Sequence, residues 1–302
     1  MINMTGPDVS ISIVSFNTAG MLRDCLNSIL QSPAVAQFEI IVVDNGSHDG
    51  SLEILKTEFS QVHTICLEHN EGFTHPMNLG LRAGQGRYLL QLNPDTLVSP
   101  GLLDGLVRFM DQRREVGIAT PKVLNRDGTL QKQCRRSAAR PLDVLTYFSG
   151  LNKLFPKSRF FGRYLMTYMG DDDTFEVEAV SGSCMMIRRA VVEEIGYLDD
   201  MYFAYQEDTD FCFRARQAGW KIFYVPTVSL IHFGGQGGSR VRPYNGIIQW
   251  HRSYFLYYRK HLAKDYFFLF NGLMYLFMAF MLGFSLVLNY LRKEKIVGTR
   301  KP

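Results

Sequence analysis

The chain has 302 residues, 46% hydrophobic and 21% charged, with a formal net charge of +4. That length holds one large α/β domain or two small ones and a sizeable core, and the composition excludes a long disordered region. The charge is too small and too dispersed to indicate a nucleic-acid partner, although it suits an anionic lipid surface. Five widely spaced cysteines without a CxxC pair suggest neither a zinc site nor a disulfide framework, so a reducing compartment is expected. Residues 1–8 show no basic and apolar pattern of a secretion signal.

In chain order, β-rich runs at 9–16, 39–44, 62–67 and 87–92 alternate with helical spacing at 21–31, 51–59 and 76–83. Such alternation predicts a parallel sheet covered by helices on both faces. Functional residues of such a sheet belong at the carboxyl ends of its strands. Polar residues recur there: Asn17, Asp44 with Asn45, Asn70, and Asn93 with Asp95. Residues 135–174 are basic and then aromatic with weak periodicity, which reads as an insertion or lid. Residues 175–188 read as a strand, 189–195 and 207–218 as helices, and 221–225 and 228–232 as two more strands before a glycine-rich stretch at 234–238.

Residues 266–291 carry no formal charge and exceed the roughly 20 apolar residues needed to cross a bilayer. Arg259, Lys260 and Lys264 precede the run, and Arg292, Lys293, Lys295, Arg300 and Lys301 follow it. A single crossing would leave one basic cluster on the disfavoured side, so an in-plane or re-entrant helix with both ends cytoplasmic stays open. A helix apolar on every side is also what a buried core or an oligomer would hide.

Four stretches carry chemistry. Asp44-Asn45-Gly46 ends a strand with an acid that can accept hydrogen bonds from a nucleobase or ribose, or is simply a turn. Asn93-Pro94-Asp95 places a carboxylate suited to a hard divalent cation on a phosphate, or an N-cap. Glu207-Asp208-Thr209-Asp210 gathers three carboxylates at a helix start. There they can poise one another as a general base or merely complement the helix dipole. Tyr202, Phe203 and Tyr205 beside them would form a sugar-stacking wall or core. His232 ends a strand before the glycine run and is a metal-ligand candidate or a structural residue, and Arg240 and Arg242 beyond it would grip a diphosphate or form a basic loop facing solvent or lipid headgroups.

Together these segments resemble the family 2 glycosyltransferases of GT-A fold, and most closely their rhamnosyltransferase-like branch. The matching stretches are 12–17, 40–51, Asn70-Glu71-Gly72-Phe73, Asn78-Leu79-Gly80, 88–96 and 180–219, the last being the most specific. The resemblance implies an α/β, Rossmann-like nucleotide-diphospho-sugar transferase domain over 1–240. Its nucleotide half would lie near 8–97 and its acceptor half near 98–240, followed by a membrane-associated helical region over 241–302. It implies that Ser15, Asn17, Asp44, Asn45, Asn78, Asn93, Asp95 and Arg240 contact the nucleotide donor, that Asp95 and His232 bind Mn2+ or Mg2+, and that Asp208 is the base with Glu207 and Asp210 in support. The implied reaction is inverting transfer, with dTDP-rhamnose one candidate donor. The acceptor would be a glycan or lipid-linked sugar at the cytoplasmic face of the plasma membrane. Two departures from the family pattern stand out: Asn93 replaces the first of two metal-side acids, and His75-Pro76-Met77-Asn78 lacks a basic residue before the asparagine. Gln249-Trp250-His251-Arg252 is not the QxxRW of processive synthases, and no GxGxxG follows the first strand. A catalytically silent, membrane-anchored sugar-binding or scaffold protein is the alternative of a different class.

Overall fold

In the computed structural model, residues 6–235 and 243–291 are described. Strands β1 (Val9–Ser15), β2 (Phe38–Asn45), β3 (His63–Leu67) and β4 (Tyr88–Leu92) alternate with helices α1 (Ala19–Leu30), α2 (Ser51–Glu58) and α3 (Thr74–Ala83). These match the expected runs to within about two residues at each end, which is ordinary for helix and strand termini. After them come β5 (Thr96–Val98), α4 (Leu102–Asp111), β6 (Val116–Leu124) and the two-residue β7 (Arg135–Arg136). The insertion contributes α5 (Pro141–Phe148) and α6 (Leu151–Leu154). The remaining elements are β8 (Phe175–Glu176), β9 (Ala179–Val180), β10 (Cys184–Arg188), α7 (Arg189–Ile195), α8 (Glu207–Gln217), β11 (Lys221–His232), α9 (Pro243–Tyr257) and α10 (Phe268–Leu291).

Among the described residues a nine-stranded sheet runs β3-β2-β1-β4-β10-β6-β11-β5, with β8 beside β11. β1 to β4 are parallel, β10 is antiparallel to both its neighbours, β6 and β11 are parallel, and β5 is antiparallel to β11. This register gathers the ends of β1, β2, β4, β6 and β11 and the starts of β5 and β10 at one edge of the sheet. Cys184 pairs with Leu92 there, and Thr96 with His232. The strands β1–β4 and those that follow them therefore share one continuous sheet.

The central strand, Val-Ser-Ile-Ser-Ile-Val-Ser, is buried on both faces. Its isoleucines fill one face, and its serines make room for α3 on the other: a Cβ at Gly80 would meet Ser12 Cβ at 3.1 Å, and one at Gly84 would meet Ser10 Cβ at 2.5 Å. Ile41, Val42 and Val43 of β2 are fully buried, each worth roughly 1.5–3 kcal/mol of transfer free energy.

The structure departs from the sequence expectation in three places. The stretch 175–188 is broken into three strands, with Gly182 held in a turn. The two strands expected over 221–232 are one, interrupted by a bulge between Val225 and Ser229. Residues 135–174 are ordered: Arg135–Arg136 pairs with Ala179–Val180, and Val144, Tyr164 and Leu165 join a second core built around Tyr254, Tyr257 and Tyr258 of the C-terminal region. α10 has a mean hydropathy of 1.8, with only 6% of that stretch buried, so it is not an internal core helix of this chain. All five thiols are free.

Candidate active site

The first group of candidate residues lies in the loops after β1 and β2. Asn17 takes a left-handed conformation at φ 52°, which turns its side chain to accept from His48 N at 2.8 Å. Its own N–H donates to Ser47 Oγ at 3.0 Å, and Ser47 N donates to Asp44 Oδ1 at 2.9 Å. Asp44 is fully buried, and its other oxygen, Oδ2, has no partner among the described residues. A buried acceptor left open costs free energy, which a ligand's donor would recover. Ser15 is also buried, its hydroxyl 3.0 Å from that of Thr18.

Two residues expected at the nucleotide have other work. Asn45 donates to Gly72 O at 2.6 Å and accepts from Glu71 N at 2.9 Å, tying down the loop before α3. Asn78 uses both ends of its amide on residues 198 and 200: it accepts from Leu198 N and donates to Leu198 O and Asp200 Oδ1. Both asparagines brace the walls of the site. Arg240 and Arg242 lie outside the described residues.

At the next strand end, the Asn93-Pro94-Asp95 turn leads into β5, whose pairing with β11 sets Asp95 beside His232. The two are nearly buried, with Asp95 Oδ1 3.1 Å from His232 Nε2. Gln131 decides which ring nitrogen carries the proton. Its Nε2 donates to the carbonyl of His232 at 2.6 Å, so its Oε1, 3.0 Å from Nδ1, must accept from that nitrogen. Nε2 then presents a lone pair to Asp95 and to the Asn93 amide at 3.3 Å. Nε2 and Asp95 Oδ1 can be bridged by a second ring proton, as an ion pair, or by a divalent ion, and both are groups that such a cation accepts. Among the described residues no group of three or more His, Cys, Asp and Glu is placed to hold a metal. Asp95 and His232 would leave the remaining coordination positions to phosphate and water, as a donor-borne Mg2+ or Mn2+ requires.

The acidic helix start is separated from this corner by one turn. Asn93 N donates to Ser183 O at 3.1 Å, and next to it Gly182 N donates to Asp208 Oδ2 at 2.9 Å. Tyr205 and Gln206 enter α8 with φ of 67° and 63°, a conformation that costs non-glycine residues and collects at functional sites. The chain here also abuts the loop before α3, since Phe203 O accepts from Phe73 N at 2.7 Å. A Cβ on Gly72 would sit 2.4 Å from that same oxygen.

The three acids differ in their surroundings. Asp208 has four donors: Arg136 at 2.8 Å and Gly182 N on one oxygen, Thr209 N at 2.6 Å and its hydroxyl at 3.0 Å on the other. Its acceptor capacity is filled. Burial pulls against the charge of Arg136, yet the adjacent Asp208 carboxylate keeps that guanidinium firmly protonated. Glu207 has a buried oxygen, Oε2, with no partner among the described residues. Burial first, then the Asp208 charge, push its carboxyl up to about 8. Asp210 is buried too, but hydrogen bonds from His261 and Lys260 and the charge of Arg214 hold it well below the usual carboxylate range. Tyr202 is core, its hydroxyl 3.3 Å from Asp210, and does not line a sugar wall.

The sequence reading missed Gln131, Arg136, Lys260 and His261. Their partners lie 101, 72, 50 and 51 residues away, so no local pattern marks them.

The mixed α/β sheet thus presents an acid-lined edge with Asp95 beside His232. The profile described as "Glycosyl transferase family 2" matches residues 10–196, and the chain belongs to that family of glycosyltransferases. Similar curated proteins include the N-acetylglucosaminyl-diphospho-decaprenol L-rhamnosyltransferase of Mycobacterium tuberculosis, 24% identical over 72% of this chain and 73% of that protein. Another is the low-salt glycan biosynthesis hexosyltransferase Agl10 of Haloferax volcanii, 29% identical over 74% and 67% respectively. Among solved structures, S. aureus TarS 1-349 with UDP-GlcNAc aligns with a TM-score of 0.56 at 18% identity, covering 82% of this chain and 65% of that one. The mannosyltransferase PcManGT of Pyrobaculum calidifontis with GDP-Man and Mn2+ aligns at 0.55 and 15%, covering 85% and 64%. This chain thus spans a little under two thirds of either solved chain, and the likeness establishes the GT-A fold.

Proposed function

We propose that the chain transfers one sugar, with inversion, from a nucleoside-diphosphate donor to a hydroxyl of a glycan or lipid-linked acceptor. The observation that carries this reading is the contact path from Asp95 and His232 through Asn93 and the 182–183 turn to Asp208. This path runs from a corner suited to a diphosphate to the Glu207–Asp208 pair, of which Glu207 has an open oxygen for a proton. Ser15, Asn17 and Asp44 bind the nucleoside, with the open Asp44 oxygen as acceptor. Asp95 and His232 hold the divalent ion, which when bound neutralises charge growing on the departing diphosphate.

The acceptor hydroxyl attacks the anomeric carbon in line, the bond to the diphosphate oxygen breaks with its electron pair, and the hydroxyl proton passes to the Glu207–Asp208 pair. Asp208 already accepts hydrogen bonds from Arg136, Gly182 and Thr209, whereas Glu207 Oε2 is open, so the proton comes to rest on Glu207. This differs from the expectation of Asp208 as the base, because its lone pairs are already engaged. Asp210 acts from behind, as an anchor. An acid with a proton affinity near neutrality is matched to this task.

The Mycobacterium relative supports dTDP-rhamnose as the first donor to try and a lipid-linked acceptor in surface polysaccharide synthesis. The apolar α10 supports work at a membrane, which this reading takes to be the cytoplasmic face of the plasma membrane. The test is a panel of nucleotide sugars with the purified chain, scoring hydrolysis, transfer and protection against thermal unfolding. Protection by one donor, lost with chelator and restored by Mn2+ or Mg2+, is expected. Transfer unaffected by chelator would remove the metal role from Asp95 and His232. Binding of sugars without turnover of any donor would favour the silent scaffold.

A further inference from the structure

α10 does not leave the catalytic domain as a crossing helix would. It folds back along α9, and α9 is fixed to the domain: Ser253 Oγ donates to Ala204 O at 2.7 Å and Tyr254 Oη reaches Ala139 O at 3.3 Å. Contacts with α9 and its following turn recur along α10. Tyr258 Oη bonds Asn271, the Phe255 and Tyr275 rings lie 5.3 Å apart, and His251 Nε2 is 3.1 Å from Ser285 Oγ. From Asn271 to Ser285 is about 21 Å of helix at 1.5 Å per residue. A helix packed against α9 and its following turn over that length cannot have hydrocarbon on all sides. The opposite stripe, with Leu273, Leu276, Phe280 and Val287, is exposed.

A second apolar surface lies in the insertion. Leu142, Leu145 and Phe148 are exposed at a spacing of three on α5, followed by Leu154, Phe155 and Phe160. Residues 141–168 also carry Lys153, Lys157, Arg159 and Arg163 against a single acid, Asp143, which is itself buried. Large apolar side chains interleaved with cations match the boundary of an anionic bilayer, where rings and aliphatic chains enter and ammonium groups meet phosphate. The surface is linked to the C-terminal hairpin: Phe148 packs edge-on against Trp250 at 5.4 Å, and His251 beside it reaches α10.

We infer that α10 lies in the plane of the membrane interface and that the α5–α6 insertion is a second docking element, seating the catalytic domain on an anionic bilayer without crossing it. The inference rests on the reading of the chain as membrane-associated. It also explains the basic residues on both sides of the apolar run, since both ends stay on one side.

The test uses the full chain carrying Cys66→Ser, which removes the exposed thiol, and one environment-sensitive label at a time. Labels enter through Phe155→Cys, or through Leu269→Cys, Leu276→Cys and Val287→Cys along α10. Vesicles are phosphatidylcholine with or without phosphatidylglycerol. The expected result is a blue shift at 155 and at all three α10 positions, with equal shallow depths by lipid-borne quenchers. Lys153→Gln and Lys157→Gln should each weaken partitioning into the phosphatidylglycerol vesicles by about fivefold. Leu154→Glu with Phe155→Glu should weaken it roughly tenfold while leaving hydrolysis of soluble donor unchanged. Shifts on α10 with none at 155 would overturn the insertion's role, and a deep Leu276 position between shallow ends would overturn the in-plane placement. No shift at any position would instead reject the membrane reading itself. Indifference to phosphatidylglycerol would reject the anionic surface.

Discussion

Glu207→Gln preserves the shape of the side chain and removes its titration, so it separates stability from catalysis. The Glu207 carboxyl is raised from 4.5 to about 8 by burial and by the Asp208 charge. A carboxyl raised in the folded state favours folding fully below its unfolded value, and that contribution is lost as pH rises through the folded value. Within this window the slope is about 1.4 kcal/mol per pH unit for one proton. The native chain should therefore lose about 3 kcal/mol relative to Glu207→Gln between about pH 5 and about pH 8. Denaturant unfolding of both proteins across that range reads the difference directly. Over the same range native kcat/KM should climb towards a limb near the raised value, since only the ionised carboxyl can accept the proton. The variant should lack the limb and transfer roughly 100- to 10,000-fold more slowly, about 3–5.5 kcal/mol of barrier, with donor affinity kept. Parallel stability curves would refute the raised carboxyl. Retained transfer in Glu207→Gln together with its loss in Asp208→Asn would move the base to Asp208.

Gln131→Ala frees the His232 ring to rotate or change tautomer, and Mn2+ affinity should fall roughly 10- to 100-fold by titration calorimetry, whereas an unchanged affinity would exclude the orienting role. Asp210→Asn leaves Lys260, Arg214 and His261 gathered around a neutral group. It should cost about 3–5 kcal/mol at neutral pH, and because the Asp210 carboxyl is depressed in the fold, the deficit should shrink as pH falls below 3.8. Gly72→Ala combines φ +91° with a Cβ 2.4 Å from Phe203 O, so a loss of about 1–3 kcal/mol and weaker donor binding are expected from unfolding and binding isotherms.

The first four strands were legible because their apolar runs are short and bounded by Gly, Asn and Asp, and the tips of β1, β2 and β4 were legible because polar residues interrupt the pattern there. The insertion was not, since its two-residue strands and one- to two-turn helices are too short to show a period. Asp95 and His232 could each be singled out as strand-end residues. Their adjacency came only from β5 turning back onto β11. Asn45 and Asn78 were expected at the nucleotide, but an amide can serve a ligand or a loop equally well, and in the fold their amides bond the 71–72 loop and residues 198 and 200.

Sequence alone determined an α/β chain with acids at strand tips and an apolar C-terminal helix, because periodicity and punctuation are local properties of the chain, while its likeness to the family 2 glycosyltransferases rested on several motifs in order. Tertiary structure decided which acid is open, which is locked and which is anchored. Those differences arise from Arg136, His261 and Lys260, whose approach depends on how distant segments pack and on the low-dielectric interior in which their charges meet. It also laid α10 along α9, because a helix apolar on every side states that it must be covered, and only its neighbours state by what.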